Sequence, residues 1–124
     1  MKSVLLVFFG GGLGSVLRYL LGKWIGAMTN HPFPLGTLVV NILACFILGF
    51  VIGLADHRQM ISPSTRLFWT VGVCGGFSTF STFSNETLYL MQNGWTLSLV
   101  LYVILSLLLC VGVTFGGIYL SGRI

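Results

Sequence analysis

The chain has 124 residues, of which 56% are hydrophobic and only 6% charged, with a mean hydropathy of +1.00. This composition excludes an ordinary soluble domain and points to a membrane protein; at about 20 apolar residues per crossing of a roughly 30 Å hydrocarbon layer, the length predicts four spans on short loops and nothing more. The net charge of +4 does not indicate nucleic acid, because the positive residues fall mostly at predicted span ends, where they meet anionic head groups.

The first span is predicted over residues 4–28. Met1-Lys2-Ser3 and the apolar run behind it have the outline of a secretory signal. However, Gly10-Gly11-Gly12 breaks the run early, no small-residue cleavage site follows, and apolar sequence resumes past Arg18, so the stretch is read as a span. Gly10/Gly14 and Gly22/Gly26 are GxxxG pairs, and the spacing recurs at Gly49/Gly53, Gly72/Gly76 and Gly112/Gly116, which predicts a close-contact face on every span. Arg18 lies inside the first span, where a charge at the helix centre costs about 2.5–3.5 kcal/mol. It either snorkels to a head group or forms an electropositive mouth that attracts anions.

Thr29 to Pro34 forms the first loop, and its two prolines stop the helix. The second span is predicted over residues 35–55, with Thr37, Asn41 and Cys45 on one face. An asparagine amide left unpaired in hydrocarbon costs several kcal/mol, so Asn41 needs a partner, either another helix or a bound anion. The second loop covers residues 56–64, with Ser64 as the predicted N-cap of a third span over 65–92. Asn93-Gly94 is a tight turn into the fourth span, residues 95–120. On that span Tyr102, Ser106, Cys110 and Thr114 recur every four residues as a polar or polarisable column, and Trp95 and Tyr119 suit the two membrane interfaces.

Residues 72–86, GVCGGFSTFSTFSNE, stand apart from the rest. Gly72, Gly75 and Gly76 predict a helix broken at membrane depth, which is tolerated only where the freed backbone groups are buried in protein or line a cavity. Freed carbonyls would suit Na+ or another small hard cation; freed N–H groups at a new helix start would suit an anion. Phe77, Phe80 and Phe83 follow at three-residue spacing, interleaved with hydroxyls. Phenyl edges carry positive potential, so edges turned inward favour an anion. No carboxylate lies mid-span; Glu86, near the end of the third span, is the only membrane-adjacent one and could cap a pore mouth, but is expected to pair with an arginine. Cys45, Cys74 and Cys110 lie in apolar runs without a CxxC pair or a nearby His or carboxylate, and are read as free packing residues. No residue set suggests an enzyme: nucleophile–base pairs and cofactor motifs are missing from the sequence.

The run from Gly75 to Ser84, GGFSTFSTFS, together with Gly36-Thr37-Leu38-Val39-Val40-Asn41 and the glycine-rich first span ending in Arg18, resembles the Fluc/CrcB fluoride channels over essentially the whole chain. The resemblance implies an all-α membrane protein of four transmembrane helices with the third broken mid-membrane, assembled as an antiparallel dual-topology homodimer with two fluoride pores. It also implies a central structural Na+ held by the main-chain carbonyls of Gly75 and Ser78, the latter standing where a threonine is usual. Phe80 and Phe83 match the ring-edge phenylalanines of the pores and Asn41 the asparagine beside them. Tyr102 and Ser106 match a polar track in which Cys110 replaces a serine, and Thr37 and Arg18 also match family positions. On this reading Asn41, the hydroxyls of Ser81, Ser106 and Tyr102, and the edges of Phe80 and Phe83 line the fluoride pathway with Thr37 and Cys110.

The partners implied are fluoride, a second copy of the chain and the lipid bilayer, with passive fluoride export across the plasma (inner) membrane of a prokaryote as the function. A small dual-topology multidrug or cation antiporter is the alternative, but such transporters need a carboxylate in the first span, where this chain has Arg18. Charge bias argues against balanced topology: Lys2, Arg58, Arg66 and Arg123 share one side, against Lys23 and Arg18, which favours an inside N-terminus.

Overall fold

The computed structural model describes the backbone of residues 1–124 and every side chain except that of Arg58. Among the described residues the fold is wholly helical. Three helices are long and apolar enough to cross a membrane: α1 (Lys2–Ala27), α2 (Leu35–Arg58) and the last one, Thr96–Arg123. Between them the chain from residue 63 to 92 runs in pieces: α3 (Pro63–Leu67), a π-helical segment (Phe68–Cys74), α4 (Gly75–Phe77) and α5 (Phe80–Gln92), so that Thr96–Arg123 is α6. A 13-residue helix such as α5 is about 20 Å long, short of the hydrocarbon thickness, so only the two halves end to end can cross.

The turn chemistry is local. Ser62, rather than Ser64, caps α3: its side chain accepts from Thr65 N–H at 3.2 Å, and Pro63 takes the first helical position, where no N–H is needed. Gly94, at φ +74, makes the tight turn before α6, while the Asn93 side chain donates to the Tyr89 carbonyl at 2.9 Å. Arg66 and Asp56 form an ion pair at 2.9 Å across the second loop.

The glycines of the third segment do not break it. The chain stays helical through Gly72, Gly75 and Gly76, and the interruption falls just beyond, at Ser78 (ψ 156) and Thr79 (φ −150, ψ 117). The reason is close approach rather than flexibility. A Cβ at Gly14 would collide with the Val73 carbonyl, one at Gly76 with the Gly11 carbonyl, and one at Gly10 would sit 2.8 Å from the Phe68 carbonyl. Backbone therefore lies on backbone where α1 crosses the π-helical segment and α4. The α2–α6 pair, the most extensive contact in the molecule, is built the same way: Gly49 faces the Thr114 backbone and Gly117 faces that of Phe46 and Phe50. A Cβ at Gly26, Gly112 or Gly116 would meet nothing within 4 Å, so the Gly112/Gly116 pair is open within one chain, whereas Gly22 is approached by Gly36, whose Cβ would sit 3.1 Å from the Gly22 carbonyl.

The buried core is small, centred on Val40, Ala44 and Phe77 with Leu21 and Ile47 packed around it. Large apolar side chains such as Phe8, Trp24, Leu108 and Phe115 point outward, the arrangement expected where lipid is the solvent. At the ends, Arg123 donates to the Tyr119 hydroxyl and lies 4.7 Å from its ring centroid.

Candidate functional site

The interruption leaves the Thr79 peptide without helical partners, and Asn41 of α2 supplies both. Its side-chain oxygen accepts from Thr79 N–H at 2.8 Å, and its NH2 donates to the Thr79 carbonyl at 3.3 Å. The partner that hydrocarbon demands of this amide is thus the broken backbone itself. Thr79 then starts α5 as its N-cap, accepting from Thr82 N–H at 3.2 Å and donating to the Thr82 hydroxyl at 3.0 Å; its hydroxyl also lies 3.2 Å from that of Ser81. Sequence reasoning left Thr79 without a role, although Thr79 and Thr82 three residues apart, directly before an apolar periodic run, are a helix-start signal.

A cavity of about 220 Å³ opens beside the break, and Asn41, Phe80, Phe83, Ser106 and Cys110 all line it. Five residues singled out from sequence on three helices therefore converge. Phe80 and Phe83 lie 5.5 Å apart between ring centroids, and Phe83 lies 5.1 Å from Tyr102. Phe80 is 78% exposed and projects from the chain. The Ser106 hydroxyl is buried without a hydrogen-bond partner, the one such side-chain atom among the described residues. The N-terminus of α5, with its partial positive charge and free N–H groups, starts at the same place.

Thr37 and Tyr102 are drawn elsewhere. Both hydroxyls donate to Glu86, Thr37 to Oε1 and Tyr102 to Oε2, each at 2.7 Å. This corrects the expected arginine partner: Glu86 projects from α5 between α2 and α6, where hydroxyls are the nearest donors. Tyr102 is fully buried and lines neither cavity. Thr37 and Glu86 line a wider vestibule of about 720 Å³ together with Arg18 and Lys23. Thr79 borders both spaces. Ser81 borders neither and is held at the cap by Thr79. At the far end of the α6 column, Thr114 donates to the Cys110 carbonyl at 2.8 Å and the Cys45 carbonyl at 3.3 Å, a structural duty.

Gly75 and Ser78 share a third cavity of about 210 Å³ with Cys45 and Cys74. Because Thr79 N–H is taken by Asn41, the Gly75 carbonyl loses the donor a continuous helix would give it. The Ser78 hydroxyl turns back to the Cys74 carbonyl at 2.8 Å, so its own side chain does not fill the space. Among the described residues no group of three or more His, Cys, Asp or Glu side chains is placed to hold a metal.

Fold and cleft together define a small multi-pass helical membrane protein with a polar-lined cleft at an interrupted helix. The chain belongs to the CrcB family: the family described as "CrcB-like protein, Camphor Resistance (CrcB)" matches residues 5–118. It is 48% identical over 121 residues to a protein of Phocaeicola vulgatus named fluoride-specific ion channel FluC, covering 98% of this chain and 99% of that one. Relatives with the same name in Gloeothece citriformis and Leptospira interrogans are 47% identical over 124 residues and 39% over 119, covering 99% and 96% of this chain and 99% and 94% of theirs. The family is one of transport proteins rather than enzymes, and nothing in these likenesses favours the antiporter alternative.

Proposed function

We propose that the chain is a fluoride-selective passive channel that lets cytoplasmic fluoride leave the cell, so lowering its toxicity. Relatives named as fluoride-specific channels over nearly the full length support the ion. The observation that carries the site is the unpartnered, buried Ser106 hydroxyl in a cleft shared with Asn41 and the Phe80–Phe83 pair. Fluoride is small and strongly hydrated, so it enters a dry passage only where fixed donors replace water. Ser106 O–H is such a donor. Of the two Asn41 amide hydrogens one is used on Thr79, leaving the other for an anion. Ring edges of Phe80 and Phe83 and the α5 N-terminus add positive potential. No carboxylate or histidine lines the cleft, so it neither repels an anion nor carries a proton in exchange. Arg18 and Lys23 in the vestibule concentrate anions, while Glu86 is engaged by two hydroxyls.

The working unit on this reading is an antiparallel, dual-topology homodimer with two pathways, in the plasma (inner) membrane of a prokaryote. One chain is too small to enclose a hydrated route. Its cleft is open-sided: Phe80 is 78% exposed, and space around Gly75 is free of heavy atoms within 4 Å of a Cβ position. A structural Na+ at the dimer centre fits the Gly75 carbonyl released by the break, with the Ser78 carbonyl as its neighbour; such an ion supplies fixed positive charge and ties the two chains together. The test is ion release from liposomes containing the purified protein. Rapid fluoride efflux with chloride retained is expected; chloride passing as readily as fluoride, or no efflux, overturns the proposal.

A further inference from the structure

Two thiols belong to the inner cleft, Cys45 from α2 and Cys110 from α6, and the fluoride reading gives Cys45 no task. They are neighbours by construction. Thr114 shares its hydroxyl between the Cys110 and Cys45 carbonyls, at 2.8 and 3.3 Å, and four residues beyond Cys45 the Gly49 Cα is in backbone contact with Thr114. Both residues line the one cavity of about 220 Å³. Both cysteines are free, and Ser106, whose buried hydroxyl is unpartnered, borders the same cavity.

We propose that Cys45 and Cys110 form a two-thiolate binding site for a soft, linearly coordinating cation of the Hg(II) type, and that its occupancy closes the cleft to anions. The donor set selects the ion. Two sulfurs without a third His, Cys, Asp or Glu do not make the four-coordinate site that zinc prefers, whereas a soft two-coordinate ion needs no more. Charge selects further. As each S–Hg bond forms, one thiol proton leaves to solvent and no electron is transferred, so a divalent ion with two thiolates is neutral, whereas a monovalent ion would leave a net negative charge in an apolar cleft. Cys74 borders only the adjoining cavity, which Cys45 also lines, so it is the rival thiol that the test removes.

The experiment uses the full-length protein carrying Cys74→Ser, fully reduced and freed of reductant, and titrated with mercuric chloride. Intact mass, residual free thiols and released protons are measured together. One mercury per chain, with both thiols lost and two protons released, is expected. Two mercury ions per chain, or one thiol still reactive when one ion is bound, overturns the shared site. Adding Cys45→Ser should make mercury at least about 100-fold easier to strip with competing free cysteine, because the second, pre-positioned sulfur is gone; equal retention overturns it. The blocking claim rests on the fluoride reading: mercury should abolish efflux through Cys74→Ser protein and spare what efflux the Cys45→Ser/Cys74→Ser protein has, and undiminished efflux at full occupancy refutes the block. A protein that carries no fluoride at all would end the fluoride reading and the block with it, while the mercury count would still decide the binding site.

Discussion

Asn41 does two jobs with one amide, and they can be separated by substitution. Leucine there leaves the Thr79 N–H and carbonyl unpaired at membrane depth, at about 1–3 kcal/mol for each group, and a lower unfolding temperature in detergent is expected along with lost fluoride flux. Aspartate keeps the acceptor for Thr79 N–H but replaces the NH2 donor with negative charge facing the Thr79 carbonyl, so it should lose flux by repelling the anion; flux at the native rate would remove Asn41 from the pathway. Tyr102→Phe tests the Glu86 clamp: it deletes one of two charge-assisted hydrogen bonds while keeping the ring that packs on Phe83, and should cost about 1.5–3 kcal/mol in denaturant or thermal unfolding. At this scale the sequence told which residues matter better than what they hold. Asn41 plainly needed a partner, yet its being the Thr79 peptide depends on where α2 passes the break. Glu86 was expected beside an arginine because charge pairing is the default from sequence, and only the placement of α5 between α2 and α6 brings the Thr37 and Tyr102 hydroxyls to it.

Among the elements, the third segment diverges most from its sequence pattern. Three glycines in five residues read as a break, but Gly72 and Gly76 are landing points for Gly10 and Gly11 of α1 while Gly75 faces open space, and the real interruption is made by Ser78 and Thr79 with Asn41 as its clamp. Glycine spacing reports a missing side chain; whether that absence is used for bending or for contact is settled only by the neighbouring helix. Gly14→Ala and Gly76→Ala each set a methyl against a backbone carbonyl that cannot rotate away, so both should lower thermal stability strongly, by more than the about 1–3 kcal/mol usual for overpacking. A melting temperature within a degree or two of the native protein for either variant would contradict the backbone-on-backbone crossing. The turns after α1 and before α6 were legible, because Thr29 to Pro34 and Asn93-Gly94 carry stop signals in their own side chains, whereas α2 runs on to Arg58 and α6 to Arg123.

Across the whole molecule, the exposed Phe80 and the empty faces of Gly26, Gly75, Gly112 and Gly116 describe a chain whose contact surfaces are not all used within one copy. Charge bias leans to one orientation and the proposed dimer requires two, so labelling of a cysteine placed in the first loop decides between them: modification from both sides of intact cells is expected, and strictly one-sided labelling would refute the antiparallel pair. Exchanging Na+ for a large organic cation throughout purification should lower the thermal stability of the assembly, and indifference to that exchange would remove the structural ion. The central claim, that the cleft at the Thr79 break conducts fluoride, is tested most directly by fluoride efflux from liposomes loaded with native protein and with Phe80→Ile/Phe83→Ile protein, the oligomeric state of each being checked by gel filtration. Fast, chloride-excluding efflux from the native protein and none from the double variant at unchanged oligomeric state is the predicted result; equal efflux from the two would contradict it.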